Sequence, residues 1–215
     1  MTKQRKYVII VDAAKCIDCK ACMVACKVEN NVPRGFWRNR INVLGGENGS
    51  KRTEYQPSQC MQCDDPSCVA ACPVGATYKQ ADGLVVIDPE KCIGCGNCVT
   101  ACPYTARYRD PVKHIVDKCD FCMDRLKQEK EPACVVTCPT KTRVFGDLND
   151  PEARVAKMVR EEELVQISAP HINTRPSIYY FKGTNLVDWA VTPMLPGNIH
   201  MSRRFWKSGS GVKKG

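Results

Sequence analysis

Long apolar stretches are missing from this sequence. The longest uncharged apolar runs are short segments such as Tyr7 to Val11 and Leu84 to Ile87. Both fall far below the roughly 18 residues that a membrane-crossing helix needs, which excludes an integral membrane protein. The start of the chain is basic, at Lys3, Arg5 and Lys6, but the apolar run before Asp12 is too brief for a secretory core of about 7–15 residues. No targeting peptide is expected. Aromatic residues are few, with five Phe, seven Tyr and three Trp among 215 residues, so the hydrocarbon core must be thin. Histidine is scarcer still. His114, His171 and His200 stand alone, with no carboxylate or cysteine placed to complete a triad or a single-metal site, and are expected to be surface or structural residues. There is no glycine-rich phosphate loop either. Gly94 and Gly96 sit inside a cysteine loop, where they are expected to let the backbone approach a bound group. Nothing resembles an independent catalytic site.

Cysteine, by contrast, is abundant, with sixteen in four groups of four. The first group is Cys16, Cys19, Cys22 and Cys26, spaced C-x2-C-x2-C-x3-C. In the second, Cys60, Cys63, Cys68 and Cys72, the middle gap grows to four residues. The third, Cys92, Cys95, Cys98 and Cys102, repeats the first spacing, and the fourth, Cys119, Cys122, Cys134 and Cys138, has eleven residues in its middle gap. Three groups end in Cys-Pro, at Pro73, Pro103 and Pro139, whereas the first ends in Cys26-Lys27.

Disulfides fit this pattern poorly, because a chain of this length is not a stapled mini-protein and shows no secretory signal. Zinc accounts better for C-x2-C pairs, and sixteen thiolates could fill four tetrahedral sites. A zinc site, however, takes two separated pairs and leaves the third cysteine of the first and third groups without a role. The complete run C-x2-C-x2-C-x3-C-P is the bacterial-type ligand pattern for [4Fe–4S] clusters. Three cysteines on a tight loop can each reach a different iron corner of one cubane. The fourth lies one helical turn further on, about 6 Å along the axis, and points toward a second cluster. The following proline biases that cysteine away from helical angles and ends the short helix. Sixteen ligands at four per cubane make four clusters.

The formal charge of +9 suggests nucleic acid until the thiolates are counted. Ligating thiols are deprotonated. Sixteen of them, with four cubane cores in their usual 2+ state, bring the loaded protein to about +1. The basic surplus is largely counter-charge, and no nucleic-acid partner is expected. A local surplus remains at Arg203, Arg204, Lys207, Lys213 and Lys214, beside Phe205 and Trp206. It suits either a membrane or partner surface or a solvated tail.

Tyr7 to Val11 reads as a buried strand entering the first cysteine loop, and Lys20 to Val28 as a helix carrying Cys22 and Cys26. Phe36 to Leu44 and Lys51 to Tyr55 read as strands of a hairpin insertion around Gly45, Gly46 and Gly49. Further strand pairs are expected at Ala76 to Lys79 with Leu84 to Ile87, and at Thr105 to Tyr108 with His114 to Val116. Met123 to Ala133 has helical composition. Asp150-Pro151-Glu152 reads as a helix start, running to about Glu163, and Ser177 to Phe181 as a late strand. Groups two and three are adjacent and form one inner ferredoxin-like unit, residues 60–102. Groups one and four close an outer unit around it, residues 1–59 and 103–182. Residues 183–215, with Pro193, Pro196 and Gly197, read as an extended arm. The expected fold class is α+β, two nested bacterial-ferredoxin-like units with a short hairpin insertion and an extended C-terminal arm.

These groups, their nested pairing and segments such as KCIGCGNCVTACPYTARY and DKCDFCMDRL resemble a known family. It is the iron–sulfur electron-transfer subunit of the dimethyl sulfoxide reductase family of molybdopterin enzymes, and within it the polysulfide, thiosulfate, tetrathionate and arsenate reductase subunits. The resemblance covers roughly residues 5 to 181. It implies a non-catalytic subunit of a respiratory oxidoreductase complex, passing electrons between a molybdopterin catalytic subunit holding molybdenum or tungsten and an integral membrane subunit that exchanges with quinone. It also implies ligand sets in which each cluster takes three cysteines from one group and the fourth from its partner group. These are Cys16, Cys19, Cys22 and Cys138; Cys119, Cys122, Cys134 and Cys26; Cys60, Cys63, Cys68 and Cys102; and Cys92, Cys95, Cys98 and Cys72. The first group's cluster would lie nearest the molybdenum subunit and the third group's nearest the quinone. Lys27 stands where the family usually has proline, which leaves the ligand Cys26 intact and touches only the local turn.

A hydrogenase or formate-linked complex uses a similar cluster array, although some formate-linked relatives add a membrane helix not seen here. A free polyferredoxin is the other alternative, and the arm from Gly183 speaks against it. The cofactors imply cytoplasmic assembly. The resemblance allows folded export beside a partner carrying a twin-arginine signal, so the expected place is peripheral, on the outer face of the cytoplasmic membrane, with the cytoplasmic face as the alternative.

Overall fold

The structure is a computed structural model that describes residues 4–44, 54–168 and 172–182. The expected arm from residue 183 and the tip of the hairpin insertion lie outside the described residues.

Strand β1 (Tyr7–Val11) is buried on both faces except at Tyr7, which explains its unbroken apolar run. It pairs antiparallel with β8 (Arg143–Asp147) and parallel with β10 (Ile178–Phe181), and β9 (Leu164–Val165) closes the sheet in the order β8-β1-β10-β9. Ile9 and Val11 face a core shared with Cys60, Cys119 and Phe121. Val8 and Ile10 face helix α6 (Arg154–Glu161) through Val155, in a second core without cysteine. The closeness of α6 explains Gly146, where a Cβ would stand 2.8 Å from Val155 Cγ2.

The remaining strands form three separate antiparallel pairs. These are β2 (Asn39–Leu44) with β3 (Glu54–Gln59), β4 (Thr77–Lys79) with β5 (Val85–Ile87), and β6 (Arg107–Arg109) with β7 (Val116–Lys118). The structure is thus mixed helix and strand, as the sequence led us to expect.

Each cysteine group opens a helix, and the third cysteine is the second helical residue every time. Cys22 begins α1 (Ala21–Glu29), Cys68 α2 (Ser67–Ala70), Cys98 α3 (Asn97–Thr100) and Cys134 α5 (Ala133–Val136). Three of these helices stop after one turn, ahead of Cys72-Pro73, Cys102-Pro103 and Cys138-Pro139, because the residue before a proline avoids helical angles. Lys27 imposes no such stop, so α1 runs through Cys26 to Glu29. Helix α1 packs on α5, and α2 packs on α3.

Two expected helices need correction. Met123 to Ala133 is not continuous: α4 (Met123–Leu126) ends after one turn, Glu129 turns left-handed, and Arg125 Nε donates to the Glu131 carbonyl at 2.7 Å. Pro132 then holds Glu131 out of the helix and starts α5 afresh. Helix α6 starts at Arg154 rather than near Asp150, because the Asp150 carboxylate accepts the Glu152 N–H at 3.0 Å and draws the segment into a tight turn.

Candidate metal centres

All four cysteine loops carry the same backbone device. The residue two positions after the first cysteine is left-handed in every group: Asp18, Gln62, Gly94 and Phe121 have φ of 57, 48, 66 and 58°. This turns the backbone of each loop at the same position. Only Gly94 advertises it in sequence, and its need is sharper than expected, since a Cβ there would lie 2.1 Å from the His114 carbonyl oxygen. Gln62 is buried and ties loops together, donating Nε2 to the Cys119 carbonyl at 2.8 Å and accepting the Val85 N–H at 2.7 Å.

Among the described residues, hollows open where cysteine loops meet, and two of them gather four cysteines each. One is lined by Cys119, Cys122, Cys134 and Cys26, with Asn30 and Gln59 among the other walls. The other is lined by Cys60, Cys63, Cys68 and Cys102, together with Arg107. In each, three cysteines of one group meet the last cysteine of another. Around them, Cys22 shares a buried apolar cluster with Cys134, flanked by Cys16, and Cys98 shares one with Cys68, flanked by Cys92. All sixteen cysteines are free thiols, and Cys19 and Cys95 are exposed. Among the described residues no three His, Cys, Asp or Glu side chains converge closely enough to hold a single metal ion.

Burial governs the thiols. It pushes Cys63 up to about 12 and Cys68 and Cys134 up to about 11. Cys26 and Cys119 are raised by the same cause, with neighbouring cysteines adding to it. At Cys72 and Cys138 burial also raises the pKa, but hydrogen bonds outweigh it and both fall below their ordinary value. The donors are backbone N–H groups from Val74 to Thr77 at Cys72, and Thr140 and Thr142 at Cys138. Other sulfurs also have donors. Arg107 Nη2 reaches Cys68 Sγ at 2.8 Å, Thr142 N reaches Cys138 at 3.3 Å and Val116 N reaches Cys92 at 3.5 Å. Asn30 Nδ2 lies 3.6 Å from both Cys26 and Cys122 Sγ.

The charges around the hollows fit an anionic occupant. Arg107, Lys118 and Arg143 are buried and take part in none of the ion pairs among the described residues. Arg143 Nη2 has no hydrogen-bond partner at all. Arg38, by contrast, is held by Asp117 in a fork of 2.9 and 2.7 Å and by Asp120 at 3.2 Å. A thiolate-ligated cubane carries net negative charge and would answer the unpaired cations.

Comparison with known proteins agrees with this chemistry. Family models described as 4Fe-4S dicluster domain match residues 51–148 and residues 15–76. A tetrathionate reductase subunit of Salmonella typhimurium is 37% identical over 196 residues, covering 89% of this chain and 77% of that protein. A polysulfide reductase subunit of Wolinella succinogenes is 38% identical over 179 residues, 81% of this chain and 93% of the relative. The thiosulfate reductase electron transfer subunit PhsB of Salmonella typhi is 42% identical over 163 residues, 74% of this chain and 84% of the relative. The chain belongs to the iron–sulfur electron-transfer subunits of the dimethyl sulfoxide reductase family.

As a member of that family it is an iron–sulfur protein of 4Fe–4S type. Among the described residues no helix is long and apolar enough to cross a membrane. Sequence spacing alone finds the cysteines but misses Asn30, Gln62, Arg107, Lys118 and Arg143. A polar residue beside a cysteine motif reads as loop surface until the fold turns it inward.

Proposed function

We propose that the chain holds four [4Fe–4S] clusters and passes electrons between a quinone-reactive membrane subunit and a molybdopterin catalytic subunit of a sulfur-compound or related respiratory reductase. The proposed ligand sets are Cys16, Cys19, Cys22 with Cys138; Cys119, Cys122, Cys134 with Cys26; Cys60, Cys63, Cys68 with Cys102; and Cys92, Cys95, Cys98 with Cys72. One observation carries the proposal: in both hollows, three cysteines of one group are joined by the last cysteine of another. The packing of α1 on α5 and of α2 on α3 supports pairing groups one with four and two with three, and thus the nested units, residues 60–102 inside residues 1–59 and 103–182.

Bound clusters supply one-electron storage at potentials set by their surroundings. The chain's own residues do the rest. Cysteines fix each site, the apolar walls exclude water, and donors to sulfur favour added negative charge. The exposed Cys19 and Cys95 belong to the first and third groups, and Ile17 and Ile93, one residue after the first cysteine of each loop, are 61% and 64% exposed. Two sulfur ligands at the surface, each beside an uncovered apolar residue, suit two docking ends, the first-group end toward the catalytic subunit and the third-group end toward the membrane subunit. The relatives named as reductase subunits support peripheral attachment to the cytoplasmic membrane, on its outer face in this proposal.

The test is anaerobic purification of this chain from its native membranes with whatever accompanies it. Molybdenum or tungsten should co-purify, and a quinol or the enzyme's oxidant should change the visible absorption of the chain. Nickel without molybdenum would instead place the chain in a hydrogenase, and recovery as a free brown protein would make it a polyferredoxin.

A further inference from the structure

Two buried cations face each other across one strand pair. Arg107 on β6 and Lys118 on β7 are partners in register, and they are only 5% and 2% exposed. Like charges directly opposite destabilise a strand pair, and a buried ion without a partner is costly. No carboxylate among the described residues pairs with either. Something anionic must therefore answer them.

Their contacts point to where that charge sits. Arg107 gives Nη2 to Cys68 Sγ at 2.8 Å and Nη1 to Thr77 Oγ1 at 3.2 Å. It lines the hollow of Cys60, Cys63, Cys68 and Cys102, and its strand packs on α3, which carries Cys98. Lys118 Nζ donates to the carbonyls of Cys119 and Val85. Cys119 lines one hollow and Val85 the other. A third such cation, Arg143 on β8, bonds the side chain of Gln59 in the wall of the Cys119 hollow and leaves Nη2 unbonded. Its strand packs on α5, which carries Cys134. Cys134 shares a buried cluster with Cys22 of the first group, and Phe145 of the same strand β8 packs against that cluster.

We infer that Arg107, Lys118 and Arg143 are junction cations, each seated between two neighbouring cluster sites and holding negative charge on both. The inference rests on the ligand sets proposed for this chain. On those sets Arg143 stands between the Cys16 and Cys119 sites, Lys118 between the Cys119 and Cys60 sites, and Arg107 between the Cys60 and Cys92 sites. One electron added at either flank increases the negative charge there by one, and the cation favours that state. It also offsets repulsion between electrons on adjacent sites, which a low dielectric strengthens. Three junctions joining four sites each receive one cation, so the file of charges follows the electron path. All three act as positioning residues for charge and form no bond with a substrate.

The test is a redox titration followed by electron paramagnetic resonance, on the full chain purified anaerobically with its accompanying subunits. Arg107→Gln, Lys118→Gln and Arg143→Gln are compared with the charge-keeping Arg107→Lys, Lys118→Arg and Arg143→Lys. Each neutral variant should lower the reduction equilibrium of two signals by tenfold or more, about 59 mV for one electron, and leave the others in place. Arg107→Gln and Arg143→Gln should move different pairs, and Lys118→Gln one signal from each pair. The charge-keeping variants should hold the parent equilibria. Neutral variants with full iron that move no signal, or that all move the same ones, would overturn the inference while the four-cluster proposal stood. Iron well below about sixteen per parent chain would refute that proposal instead. If a neutral variant cannot retain iron, its charge-keeping counterpart decides: full iron there supports the need for charge, and loss in both overturns it.

Discussion

Cysteine numbering says which group a ligand belongs to, while the fold decides which hollow it lines. Cys26 follows Cys22 by one helical turn, yet it lines the wall with Cys119, Cys122 and Cys134. Cys26→Ser should therefore alter a single resonance signal, the one also altered by Cys119→Ser, and cost about one to four irons per chain. If Cys26→Ser altered the signal lost in Cys16→Ser, the crosswise ligand sets would be wrong. Gly94 gives a second residue-scale expectation. An added Cβ meets the His114 carbonyl at 2.1 Å, on a backbone whose φ is +66°. Gly94→Ala should lower the melting temperature of the loaded protein well beyond Gly75→Ala, where φ is +62° but no atom lies within 4 Å. The latter should cost only the left-handed penalty of about 1–2 kcal/mol, and equal losses in thermal unfolding would contradict the contact. At this scale the candidate cysteines were legible because iron–sulfur chemistry demands cysteine at set spacings. Arg107, Lys118 and Arg143 were not, because a basic residue reads as surface until a strand pair turns it inward.

Among the elements, α2, α3 and α5 are single turns of four residues. Helices shorter than about 12–15 residues are marginal in water, so these depend on what their cysteines hold. Stripping iron with a chelator under anaerobic conditions should abolish a cooperative thermal transition and reduce the helical circular-dichroism signal. A sharp native-like transition in the stripped protein would contradict this dependence. The layer formed by α6 on the sheet is different, since its core of Val8, Ile10 and Val155 contains no cysteine. Val155→Ala should cost about 1–3 kcal/mol of stability and leave iron per chain unchanged; a loss of iron would show that this layer shapes the sites. Element prediction succeeded where apolar runs were unbroken, as at Tyr7–Val11, which matches β1 residue for residue. Strands β8 and β9 were missed because their signal lies in pairing with β1 and β10, far away in sequence. The Asp150 and Met123 segments misled because turn chemistry at Asp150, Glu129 and Pro132 overrode helical composition.

For the whole molecule, the cysteine count organises both fold and charge. Sixteen thiols stand in for much of the aromatic core that the composition lacks, and four clusters on them, as proposed, would turn a formal +9 into a nearly neutral particle. Mixed helix and strand content was legible from alternating apolar runs and turns. The spacing pointed the last cysteine of a group toward a second cluster, family resemblance alone implied which group it joins, and in the structure the last cysteines of groups one and three line hollows with cysteines of groups four and two. Iron and acid-labile sulfide, counted per chain after strictly anaerobic purification, test the central claim most directly. Four cubanes predict about sixteen of each. About four zinc ions with little iron or sulfide would contradict it.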